Sequence, residues 1–258
     1  MTELKRILQL SYTDFSYFFR TKWLMAILLS LSLSDMLVIG LVYNRLMSFN
    51  YFQFFAPAVV VMGLFMGAMD TGRRIWLAFR EGVTQYYLSL PLSNWGIVIA
   101  YLLAGGLSAT IYSSTLMLVA FVVLPTHTIW NGLIMLPFLF LLAMGLAGIA
   151  ASLAALASTH GEFFFAYQQI VQVSLLALST VYYPREVMEM YLPSILVNIA
   201  SINPLSLAAE ALREFTFGGH PLQLNFLINL SITSIPFALL GALAYYKALR
   251  DIQQKGKL

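Results

Sequence analysis

The 258-residue chain contains no cysteine, which excludes disulfides, thiol chemistry and any cysteine-ligated metal. Charge is nearly as scarce. Only 10% of the residues are Asp, Glu, Lys or Arg, against about 25% in ordinary soluble domains, while 60% are hydrophobic and the mean hydropathy is +0.81. No GxxxxGK[ST] run is present, so nothing in the sequence can cradle nucleotide phosphates, and no HExxH, paired aspartates at a helix end or Ser/His pairing offers a hydrolytic centre. The short alternating strands of a lipid-facing barrel are missing too. The net charge of +3 and the pI near 9.1 require no nucleic-acid partner.

What the chain has is apolar length. A crossing helix needs roughly 20 apolar residues at about 1.5 Å each to traverse a core of about 30 Å, and helices satisfy their own backbone polar groups in lipid. Six stretches qualify, at residues 23–43, 54–70, 97–124, 133–157, 163–181 and 222–246. The third and fourth exceed a perpendicular crossing, so tilt or projecting ends absorb the excess. The expectation is an all-α integral membrane protein, a single six-span domain over residues 1–258.

Orientation follows from the cations. With the N-terminus inside, the inner segments hold Lys5, Arg6, Arg20, Lys22, Arg73, Arg74, Arg80, Lys247, Arg250, Lys255 and Lys257, and the outer ones hold only Arg45, Arg185 and Arg213. Eleven against three is a strong positive-inside bias and puts both termini in the cytoplasm. His127, His160 and His220 then fall on opposite sides and cannot assemble one metal site.

Three segments outside the spans carry information. Residues 1–22 place Leu4, Ile7, Leu8, Tyr12, Phe15, Phe18 and Phe19 at helical spacing beside Lys5, Arg6, Arg20 and Lys22, the pattern of an interfacial helix. A secretory signal is disfavoured, because the apolar core starts late, runs too long and lacks a small-x-small cleavage site. Residues 71–95 are basic and amphipathic on the inner side between spans two and three. Residues 182–221 are too apolar for a solvated loop, yet Pro184, Pro193 and Pro204 cut them into helices too short to cross. They are expected to dip into the outer leaflet and return, either lining a path or merely capping helix ends. The remaining connections are short: an outer turn around Asn44 and Arg45 followed by interfacial Tyr51 and Phe52, an outer loop at 125–131 ending near Trp130, and an inner loop at 158–162.

Intramembrane polar groups are costly and therefore informative. An ionised Asp35 in the first span costs about 2.5 to 3.5 kcal/mol on insertion scales. It either lines a wet path or, in the blander case, snorkels outward or pairs with Arg45. Ser30, Ser32 and Ser34 alternate and cannot share one helical face, so bonds to preceding carbonyls are expected of them. Asp70 stands three and four residues before Arg73 and Arg74, the spacing of a local ion pair. Gly63 and Gly67 form a GxxxG step, and Gly145, Gly148, Ser152 and Ala155 a small-residue ridge, both suited to close helix contact within the chain or across a dimer.

Three stretches resemble the type-2 ABC export permeases: REGVTQYYLSLPLSN at 80–94, YYPREVMEMYLPSILVNIASINPLSLAAEALR at 182–213, and YFQFFAPAVVVMG at 51–63. Gln85, where an acid is common, and Ser179-Thr180, where glycine is common, depart from the pattern. The resemblance implies a permease subunit in the plasma (inner) membrane. It pairs with a second copy, as a homodimer, and with cytoplasmic ATP-binding subunits that carry the ATP and Mg, and it exports a drug-like, lipid or glycan cargo. Residues 71–95 then become the coupling helix. Ile75, Trp76, Phe79, Val83, Tyr86, Tyr87 and Leu90 offer an apolar ridge to a groove in the partner, with Arg73, Arg74, Arg80 and Glu81 at its margins and Gly82 at a turn. The alternative is a helix that only rests on lipid. Asp35, Tyr43, Tyr182 and Tyr183 become the pathway residues. An ATP-independent carrier or a non-transporting scaffold is the rival class; the first would call for inverted repeats and more buried charge.

Overall fold

The computed structural model describes residues 2–89, 91–124, 128–158, 161–218, 221 and 223–254, with backbone only at Leu24. The expectations placed on Leu90, Pro125, His127, His160, His220, Lys255 and Lys257, and on Leu222 as the start of the last span, lie outside the described residues. The described chain is helical with no strand: α1 (Glu3–Arg20), α2 (Lys22–Ser34), a π-helical turn (Asp35–Ile39), α3 (Gly40–Leu46), α4 (Tyr51–Arg80), α5 (Val83–Ser89), α6 (Asn94–Val123), α7 (Ile129–Leu156), α8 (Gly161–Ala177), α9 (Arg185–Tyr191), α10 (Ser194–Ile202), α11 (Pro204–Ala211), a second π-helical turn (Leu212–Phe217) and α12 (Leu224–Gln254). Local chemistry sets several starts. The Asn50 side chain accepts the Gln53 amide at 3.1 Å ahead of α4, and Ser93 Oγ accepts the Gly96 amide at 3.0 Å ahead of α6.

Alternating direction follows from the contacts. The start of α6 meets the end of α12 through Asn94 and Gln253, at 2.8 and 3.1 Å, and through stacked Trp95 and Tyr246. Gly161 at the start of α8 packs on Trp76 late in α4, while Asn131 at the start of α7 donates to the Phe215 carbonyl at 2.7 Å. One end of the bundle thus carries α5, the start of α1 and the end of α12, and the far end carries the starts of α4 and α7 and the 182–221 segment.

Small residues let the central helices approach. A Cβ on Gly67 would stand 2.9 Å from the Ala109 backbone of α6, and one on Gly148 would stand 2.4 Å from the Gly241 backbone of α12. Gly63 faces Leu116 and Tyr112, and Gly145 faces Phe237, so all four glycines sit at contacts inside the chain. The α4 core is almost wholly buried, with Phe55, Val60, Leu64 and Phe65 inaccessible, whereas α2–α3 and much of α12 present Leu31, Val38, Leu41, Ile232 and Leu239 outward.

Among the described residues, five helices are long and apolar enough to cross a membrane, or six if α10 and the stretch from α11 through the second π-turn, bent by 66°, form one broken span. The expected fifth span, 163–181, appears as a 17-residue α8, slightly short by itself at about 1.5 Å per residue. Its reach is nevertheless complete. Gly161 abuts Trp76, and the Thr180 and Val181 carbonyls just beyond its end meet Arg213 beside Phe54, the same height that α4 covers between Phe54 and Trp76.

Two expectations change. Residues 71–95 are not one helix lying across the base: residues 71–80 prolong α4, because nothing between Asp70 and Arg80 breaks it, and only Val83–Ser89 stands apart after Gly82 at φ +75. The 1–22 helix does not rest on its own; α1 runs along the first turns of α6, burying Leu10, Ser11 and Phe18.

Candidate functional site

At the α5 end, a buried charge cluster fixes α1 to α4. Asp70 meets Arg73 Nε at 2.6 Å and Arg74 Nε at 3.3 Å, as their spacing predicts. Arg74 then reaches out of its helix: its guanidinium donates to the Asp14 backbone carbonyl at 2.7 Å, to the Asp14 carboxylate and to Thr71 Oγ1 at 3.1 Å, and lies over the Phe18 ring. Burial raises the Asp14 carboxyl above its ordinary value while Arg74 opposes the rise, so the pair survives on direct bonding against a desolvation cost. Asp14 escaped the sequence reading. Its signal was an acid sharing a helical face with Ser11 and Phe18, but its partner lies 60 residues away.

Further ties hold α1 to the α5–α6 linker. Arg6 Nη1 donates to the Pro91 carbonyl at 2.6 Å, Glu3 accepts from the Ser93 amide at 3.2 Å and from its hydroxyl, and Ser11 Oγ donates to the Ala100 carbonyl at 3.1 Å. These bonds pull the Glu3 carboxyl below its ordinary value.

The structure divides the expected coupling residues. Arg80, Glu81, Gly82 and Tyr86 are exposed around the turn and on α5, with Tyr86 61% accessible. Arg74 and Phe79 are buried, Ile75 is fully enclosed, and Tyr87 turns toward α1, where it lines a cavity of about 140 Å³ with Leu10, Asp14, Arg74 and Tyr101. Those four belong to the internal frame and not to an outward ridge. Arg73 stays on Asp70. Trp76 stacks on Phe164 with ring centroids 6.1 Å apart and Arg80 lies over its ring, so the α4 end is also braced by α8.

At the far end, three of the four expected pathway residues, Tyr43, Tyr182 and Tyr183, converge. Tyr43 stacks near Tyr51 at 5.4 Å, Tyr51 donates its hydroxyl to the Tyr182 carbonyl at 3.1 Å, and Tyr182 neighbours Tyr183 at 6.5 Å. Tyr51, read from sequence only as an interfacial aromatic, is the hub. Asp35 opens the first π-turn, half-exposed, and does not pair with Arg45 among the described residues. Ser32, expected to bond a preceding carbonyl, instead meets the Tyr112 hydroxyl of α6 at 2.9 Å.

Side chains hold the irregular backbone of the 182–221 segment. Asn203 donates to the Leu175 and Leu178 carbonyls at 2.8 and 2.6 Å and accepts the Leu205 amide at 2.9 Å, closing the Asn-Pro-Leu corner. Arg213, inside the second π-turn, donates to the carbonyls of Phe54 (2.9 Å), Thr180 (2.9 Å) and Val181 (3.2 Å) and lies 3.7 Å above the Phe54 ring. Both π-turns thus carry a functional candidate, consistent with the tendency of such turns to mark special sites.

No cluster among the described residues could hold a metal ion. A basic end that exposes a short helix on a tight turn, an irregular hairpin at the other end, and five or six crossings between them make up the frame of a membrane permease. Comparison with known proteins gives it a family. The profile of ABC-2 type transporters matches residues 3–217. A protein of Cyanophora paradoxa described as a transport permease, ycf38, is 27% identical over 222 residues, covering 79% of this chain and 72% of that protein. With its profile running from α1 through the second π-turn, this multi-pass membrane chain belongs to the ABC-2 type transporter family, as a transport permease subunit.

Proposed function

We propose that this permease exports its cargo with energy taken from a separate ATP-binding subunit docked on α5 at the cytoplasmic face of the plasma membrane. The observation that carries the reading is the Gly82 turn, which presents α5 with Arg80, Glu81 and Tyr86 outward while the other side of the same element is held by α1 and α4. Force applied to α5 meets no slack, because the seven-residue helix is bounded by a left-handed turn on one side and the Arg6 and Glu3 ties on the other. Two copies form the transporting unit, each with its own ATP-binding partner that supplies ATP and Mg. Exposure of a path between the copies alternates as the partners close. Asp35, Tyr43, Tyr182 and Tyr183 line that path toward the outer side, where few cations lie.

The test is Gly82→Val together with Glu81→Trp, in permease reconstituted with its ATP-binding subunit. A Cβ at position 82 meets only the Gln85 side chain, at an ordinary 3.8 Å, so the penalty is backbone strain of about 1–3 kcal/mol confined to the turn. The expected outcome is normal insertion and continued ATP hydrolysis, with cargo moved per ATP reduced at least tenfold. An unchanged ratio refutes the reading.

A further inference from the structure

The cavity of about 140 Å³ at the α5 end takes its walls from α1, α4, α5 and α6. Its inner side is built from side chains that hardly meet solvent: Asp14 is 10% exposed, Arg74 1% and Tyr101 3%. Leu10, Leu77 and Val83 supply apolar walls, and the exposed Glu81 stands at the rim. The Tyr101 ring is held edge-on by Tyr245 with centroids 6.2 Å apart, yet its hydroxyl finds no hydrogen-bond partner among the described residues. A buried phenol hydroxyl in that state calls for a partner from outside the chain.

Size and charge restrict that partner. The volume suits a single six-membered ring and falls well below the roughly 300 Å³ at which pockets begin to take drug-sized molecules. Charge is already balanced on the inner side, where the carboxylates of Asp14 and Asp70 face the guanidiniums of Arg73 and Arg74. An ion of either sign would leave one charge over in a desolvated site, and the solvated Glu81 is too well screened to reverse that. Hydrogen-bonding capacity, by contrast, is left over. Arg74 takes Oδ2 of Asp14, no described group meets the other carboxylate oxygen, and the Tyr101 hydroxyl can both donate and accept. A purely apolar ring would fill the walls and leave these groups unmet.

We propose that this cavity is a binding site for a small neutral phenol, its ring between Leu10, Leu77 and Val83 and its hydroxyl on Asp14 and Tyr101. Held there, the ligand touches α1, α4, α5 and α6 together and stabilises the folded frame by mass action. The inference concerns binding, and it holds whether or not α5 receives force from an ATP-binding subunit.

The test uses the full-length permease in nanodiscs and four probes of one shape read by fluorine NMR: 4-fluorophenol, 4-fluorotoluene, 4-fluorobenzoate and 4-fluorobenzylammonium. Each is measured against empty nanodiscs, so that partition into lipid is subtracted. Saturable binding of 4-fluorophenol is expected, with a raised thermal midpoint; the toluene should bind about fivefold more weakly and the two ions at least tenfold more weakly. Tyr101→Phe, which keeps the ring and removes the hydroxyl, should weaken the phenol about fivefold and leave the toluene unchanged, a split that a loss of packing alone would not produce. Ala78→Phe fills the cavity from its half-buried wall and should abolish both, with a thermal midpoint no lower than the parent's. No saturable phenol binding, ions bound as tightly as the phenol, a phenol affinity unchanged in Tyr101→Phe, or binding that survives Ala78→Phe overturns the inference. Where Ala78→Phe does not fold, Tyr101→Phe and the four-probe ranking decide it.

Discussion

At the α5 end, the buried guanidinium of Arg74 meets carboxylates from two different helices, whereas at the far end the guanidinium of Arg213 meets only main-chain carbonyls and a ring. The difference matches what each end has to hold. Around Arg74 the backbone is regular helix with its own bonds made, so the charge is free to fasten one side chain to another and lock α1 onto α4. Around Arg213 the chain leaves α8 and turns into α9, and carbonyls released from the helical ladder need donors. A five-donor planar cation serves two of them at once, at Thr180 and Val181, while also reaching the Phe54 carbonyl of α4. The first arrangement makes a rigid frame, and the second holds an irregular corner in shape.

The sharpest way to break this contrast is Arg74→Met, which strands Asp14 in the interior while Asp70 keeps only Arg73. A loss of about 3–5 kcal/mol is expected, read as a fall in the thermal midpoint in detergent, with much of it recovered when Asp14→Asn is added. A smaller and more local effect is expected of Arg213→Ala. Charged hydrogen bonds contribute about 1.5–3 kcal/mol each, but Arg213 borders a surface cavity of about 340 Å³ that water can reach, so a net loss on the order of 2 kcal/mol should appear mainly as faster amide exchange over residues 178–185. Equal acceleration across α4 and α6 would dissolve the distinction between frame and corner. The smallest effect concerns acid. Because Glu3 has its carboxyl lowered in the fold, its tie to Ser93 is intact above the ordinary carboxylate range and is lost as pH falls through the lowered value. Exchange of the Ser93 amide should therefore quicken on acidification, while that of Ala100, near Ser11, stays unchanged.

The helical class and the long spans were legible because apolar run length translates directly into helix length in a membrane protein. Gly82 was legible as a turn for a similar reason: a glycine between a charged run and an amphipathic one has few other uses. The base of α4 was not, since charge at Asp70 looks like a membrane boundary and does not reveal that the helix runs on for ten residues beyond it. Helical spacing found the Asp70 contacts with Arg73 and Arg74, which are local, and missed Asp14, which is not. The same limit explains Ser32, whose partner Tyr112 lies 80 residues away, and the inward turn of Phe79 and Tyr87, which depends on where α1 docks. At the far end the tyrosines could be named from the sequence, but not Tyr51 as their hub, because its bond to the Tyr182 carbonyl exists only once α4 and the 182–221 segment are side by side.

The length of α4 has a consequence of its own. Its apolar part, residues 51–69, is about 28 Å long and matches a bilayer core, and the remaining eleven residues carry the helix roughly 16 Å farther. On the reading proposed above, that stalk carries the Gly82 turn beyond the apolar core, so that a soluble partner would grip the permease and let go again without parting a single lipid from its neighbours.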